Sequence, residues 1–137
     1  MQLTIKIVSN DQIICDGVFG LIWGTRAFRL AEKRLDMTTQ DILLNVDDEN
    51  VIINLTYCAL QNWLQNKDES ATLPFSIVNL ENWINDQPRE LITAISEDYM
   101  NSTLNGKAIS DLYEEVNAIY AATETTPTKA VKKKKSP

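Results

Sequence analysis

The sequence predicts a mainly α protein: a small N-terminal β-hairpin, a compact bundle of five or six helices, and a disordered C-terminal tail. Three observations carry this expectation. Leu3–Val8 alternates and is rich in β-branched residues, the pattern of a strand. From about residue 19 the apolar spacing changes to threes and fours, the period of a helix face. Residues 123–137 hold two prolines, four threonines and five lysines, with too little apolar surface to offset the entropy of ordering. The 137 residues therefore divide into one helical domain, 1–122, and a lysine-rich tail, 123–137.

The elements follow in order. Ser9-Asn10-Asp11 is a turn cluster between Leu3–Val8 and a second short run, Gln12–Cys15, which Asp16-Gly17 closes. From about Phe19 to Asp36, the residues Trp23, Ala27, Leu30, Ala31 and Leu35 form one helical face, and Arg26, Arg29, Glu32 and Lys33 take the other. Thr38 or Thr39 caps a short helix, Gln40–Asn45. The next helix, about 48–66, carries Val51, Leu55, Cys58, Ala59 and Asn62 on one stripe. Ile52, Leu60, Trp63 and Leu64 widen that stripe enough to make the helix central to the core. Ser76 is the N-cap of a helix through about Ile84. Pro88 suits the first position of a helix with Leu91, Ile92, Ile95 and Tyr99 inward, running to about Leu104 and ended by Asn105-Gly106. Ser110 caps a final helix with Leu112, Val116, Ile119 and Tyr120 inward.

Composition narrows the function. Outside the tail, eight Lys and Arg stand against eighteen Asp and Glu, a net charge of −10. Such a surface repels phosphate backbones, so no nucleic-acid partner is expected of the folded part. No stretch approaches the roughly 20 apolar residues of a membrane helix, and Met1–Lys6 does not read as a signal peptide. Without an export signal, Cys15 and Cys58 are expected to be free buried thiols. The chain has no histidine, which removes the commonest general base and nitrogen metal ligand.

No motif points to chemistry. Gly20 and Gly24 are neither a Walker loop nor a dinucleotide fingerprint. Asp47-Asp48-Glu49 lacks the alternation of a calcium loop and reads as helix-start electrostatics. Neighbouring carboxylates such as Glu114-Glu115 do not face each other on a helix. No catalytic, cofactor or metal site is therefore assigned. The candidate partner-binding residues are aromatic, as interface anchors tend to be: Trp23, Phe28, Trp63 and Trp83. Trp83, in a short helix between linkers, is the one expected outside the core.

Leu3–Val8, Phe19-Gly20, Gly24-Thr25-Arg26-Ala27-Phe28, Asp41-Ile42-Leu43-Leu44 and Leu55–Leu60 occur in this order over residues 1 to about 100. In that order they resemble the tail assembly chaperones of long-tailed bacteriophages, with the difference that Leu21-Ile22-Trp23 lies between the two glycines. The resemblance implies a small, mostly helical, non-catalytic protein that binds the tape measure protein and recruits tail tube subunits in the host cytoplasm, and that is absent from the mature virion. It also implies a longer form made by ribosomal frameshifting, for which Lys132, Lys133, Lys134 and Lys135 mark the candidate adenine-rich tract. Apolar grooves between helices would hold partner helices, and self-association through such grooves is expected. The alternative is a small acidic adaptor or inhibitor that binds a basic site on a host or phage enzyme.

Overall fold

Strands β1 (Gln2–Ser9) and β2 (Gln12–Gly20) form an antiparallel hairpin in the computed structural model of the protein, which describes residues 1–123. Asn10 and Asp11, both at positive φ, make its tight turn. Leu3, Ile5 and Ile7 point into the core and Thr4, Lys6 and Val8 outward, as the alternation predicts. The second strand is longer than expected. Asp16-Gly17 does not close it, because Asp16 pairs with Lys6 and Gly17 with Ile5. A bulge after Ile7 absorbs the extra residue Ile14.

Helix α1 (Thr25–Leu35) begins six residues later than the spacing of apolar residues predicts. Leu21–Trp23 is extended, and its backbone is already engaged. Leu21 N–H donates to Met1 O, and Ile22 N–H to Ala59 O at 3.2 Å. The carbonyl of Ile22 accepts from Asn62 Nδ2 at 2.9 Å. Gly24 then turns the chain at φ 119°, a conformation that glycine adopts without a Cβ penalty.

Helix α2 (Thr39–Leu44) is capped by Thr38, whose hydroxyl accepts from Asp41 N–H at 3.1 Å. Helix α3 (Glu49–Lys67) is capped by Asp48, which accepts from Asn50 N–H at 2.9 Å. Val51, Ile52, Leu55, Cys58, Ala59 and Leu60 are all buried, so α3 is the central helix as expected, with α1 and the hairpin packed along it. Gly20 is required by this packing: a Cβ there would overlap the Trp63 indole. Gly20→Ala is expected to cost about 1–3 kcal/mol by overpacking, read as a lower urea midpoint with an unchanged m-value.

Helix α4 (Ile77–Asn85) opens on the capping box of Ser76 and Asn79. Helix α5 (Arg89–Met100) starts one residue after Pro88 and stops four residues short of Leu104. Residues 103–108 instead form a second small hairpin, β3 (Thr103–Leu104) with β4 (Lys107–Ala108). Asn105 and Gly106, at φ 54° and 85°, are its turn. Helix α6 (Ile109–Thr123) then follows without the Ser110 cap, since Ser110 lies inside the helix. Ile109 is fully buried, but Ile119 and Tyr120 are exposed, contrary to the inward placement read from their spacing. Every residue from 117 to 122 is exposed.

The outcome is the predicted class: mainly α, six helices among the described residues, and an N-terminal hairpin. The tail reading lies outside the described residues.

Candidate partner-binding surfaces

Three of the four aromatic candidates are core residues. Trp23 ends the extended segment before α1 and is 8% exposed. Its ring centroid lies 5.1 Å from that of Tyr99, which lies 6.1 Å from Phe28. The indole N–H donates to Asp98 Oδ2 at 2.8 Å. Phe28 is 2% exposed, on the face of α1 that meets the body. Trp83, expected outside the core, is buried. A nine-residue helix between linkers needs an anchor, and Leu80 with Trp83, three apart on one face, supplies it. Sequence spacing places Trp23 and Trp83 near a core stripe but does not show which way their rings turn.

Trp63 is the candidate at the surface. It is half-buried on α3, edge-on to Phe19 at 5.9 Å, with the Lys67 ammonium 4.3 Å above its ring. Lys132–Lys135 lie outside the described residues.

Tyr99 carries an unpaid polar group. Its hydroxyl is buried with no hydrogen-bond partner among the described residues, and burial pushes its pKa well above the ordinary tyrosine value. Tyr99→Phe keeps the ring and removes the orphan oxygen, so stability is expected to rise by about 1 kcal/mol. Thermal melts of the two proteins check this, and a clear loss of stability would reveal a partner for the hydroxyl.

Both cysteines are free and buried. Burial pushes the Cys58 thiol up to about 12, against a smaller opposing pull from Arg34, and burial together with the neighbouring Asp16 raises Cys15. Both thiols are therefore protonated near neutral pH, the wrong state for a nucleophile. Among the described residues no three Cys, Asp or Glu side chains converge as metal ligands, and no helix is long and apolar enough to cross a membrane.

An open groove of about 710 Å³ lies between the start of α3 and α5. Ile52, 3% exposed, and the half-buried Val46, Ile92 and Met100 form an apolar floor, with the polar Thr93, Ser96 and Asn101 lining the groove beside them. Its rim carries Asp47, Glu49 and Glu97 against a single base, Arg89. Asp47 and Glu49 had a simpler explanation in the sequence, the positive end of a helix dipole, and the cap itself falls to Asp48 between them. Glu97 and Met100 join the groove because α5 lies across it from the start of α3. A smaller hollow of about 380 Å³ separates the N-terminal residues Met1–Thr4 from Trp83, Pro88 and Leu91.

Compared with protein-family models, curated proteins and solved structures, the chain matches none.

Proposed function

We propose that this protein is a phage tail assembly chaperone, which binds the tape measure protein and recruits tail tube subunits while the tail is built. The observation that carries the reading is the groove between α3 and α5. An apolar floor under an acidic rim fits an amphipathic helix with basic flanks, laid in by its apolar face. Three acids over one base set the preferred sign of the occupant's charge. The rest of the acidic body keeps such a complex soluble. The order of the motifs over residues 1 to about 100 supports the same reading. No chemistry is assigned to the protein. The proposed setting is the cytoplasm of an infected bacterium, with the chaperone gone from the finished tail. The longer frameshifted form belongs to this proposal, with the codons of Lys132–Lys135 as its slippery tract.

Co-expression with the tape measure and tube proteins of the same phage tests the reading. The tape measure protein is expected to move from the pellet to the soluble fraction and to copurify with this chain. If both partners stay equally insoluble and neither copurifies, the proposal fails. Copurification of a basic enzyme in their place would establish the adaptor reading instead.

A further inference from the structure

The outward face of the β1–β2 hairpin is unusual for a solvated surface. Val8, Ile13 and Val18 are 54%, 60% and 53% exposed, and Ile14 is 38% exposed beside them at the bulge. An outward strand face in water normally carries polar residues. Here four aliphatic side chains expose an area on the order of 300 Å², the size of a patch that commonly has a function. Between them lies one pair of opposite charges, Lys6 directly across from Asp16. Neither side chain makes a hydrogen bond or an ion pair among the described residues. Both are exposed.

We propose that this face is a homodimer interface: two copies pack hairpin against hairpin, with Lys6 of each copy against Asp16 of the other. The pattern is self-complementary. When a two-fold axis runs along the strands and between them, β1 of one copy lies over β2 of the other. Each residue then meets the counterpart of its own cross-strand neighbour: Lys6 meets Asp16, Val8 meets Ile13, and Thr4 meets Val18. Sheets packed this way sit about 10 Å apart with their side chains interleaved. The charge balance selects this face over others. Copies of an acidic protein repel each other over most of their surfaces, but here the cation and the anion cancel and then pair across the contact. The face is distinct from the groove between α3 and α5, so a dimer leaves both grooves open.

The contact is smaller than the roughly 800 Å² per partner of a standard interface, so the dimer is weak, with a Kd between about 10 µM and about 1 mM. Sedimentation of the full chain over that range tests it, with Lys6→Asp, Asp16→Lys, the double swap and an equimolar mixture of the two single variants. Each site is exposed, and circular dichroism checks that each variant is folded. The wild type is expected to dimerise. Each single variant alone is expected to associate at least about tenfold more weakly, because its face then carries two like charges. The double swap and the mixture are both expected to restore dimers. A wild type that stays monomeric at about 1 mM overturns the proposal. So does undiminished association of the single variants, or a mixture that associates no better than its components.

Discussion

Replacing Trp23 by alanine is expected to cost about 3–5 kcal/mol of stability, the largest effect of any single change considered. The indole sits at the junction of three elements: it ends the extended segment tied to α3, packs at a tilt against Tyr99 of α5, and through Tyr99 reaches Phe28 of α1. Alanine leaves a cavity among side chains that are 8% exposed or less. It also leaves the half-buried Asp98 carboxylate without its indole donor. Against a typical total of about 5–15 kcal/mol, this is roughly a fifth or more of the stability of the fold. Trp23→Phe keeps most of the ring volume and loses the N–H, so its cost is expected to be smaller, about 1.5–3 kcal/mol for a hydrogen bond to a charged acceptor. Urea unfolding of the two variants gives both numbers. A cost below about 1 kcal/mol for the alanine variant, the level of a surface change, would return Trp23 to the list of exposed anchors.

Trp23 also shows where sequence reading reached its limit. Its spacing to Ala27 and Leu30 is helical, and the residue is as buried as that spacing implies, yet it is not in a helix. Apolar periodicity reports burial, and burial does not require the backbone to be helical. What holds the start of the helix back to Thr25 is tertiary: Leu21 is tied to Met1, and Ile22 is captured by α3. The same limit explains β2. A Gly after an Asp ordinarily signals a turn, but Gly17 faces Ile5 across the hairpin and continues the strand. At residues 105–106 the signal was present and was given the wrong meaning. Asn-Gly marks a hairpin turn as readily as a helix end, and Thr103–Ala108 is long enough for two short strands. Ile119 and Tyr120 mark a third limit, because an apolar stripe cannot say where the body beneath it ends.

Much of the local chemistry, by contrast, was legible, the expected Ser110 cap excepted. Thr38 and Ser76 cap the helices they were expected to cap, and α3 is the buried centre its composition requires. The caps depend on residues two or three positions away, and the burial of α3 on its own stripe. The groove depends on α5 meeting the start of α3, some forty residues away in sequence, and nothing local encodes that meeting.

Reversing the rim of that groove is the second large effect. The triple variant Asp47→Lys, Glu49→Lys and Glu97→Lys turns three acids beside Arg89 into three bases. If the occupant is an amphipathic helix with basic flanks, three attractions become three repulsions, and affinity is expected to fall about 100-fold. Stability should hardly follow. The three sites are exposed, and the main structural cost is the loss of Glu49 from the first turn of α3, about 0.3–1 kcal/mol. Asp48 provides the contrast. It lies between two rim residues, but its carboxylate accepts from Asn50 N–H as the cap of α3. Asp48→Ala should therefore lower stability by about 1 kcal/mol and leave binding nearly unchanged. Titration of the purified tape measure protein, or of peptides from it, against both variants separates the two roles. Added salt should weaken wild-type binding by screening the rim, leaving the contribution of the Ile52 and Ile92 floor. Equal affinity for the wild type and the triple variant would mean that the partner sits elsewhere on the chain. Loss of binding in Asp48→Ala alone would mean that the groove needs an intact start of α3 more than it needs the charge of its rim.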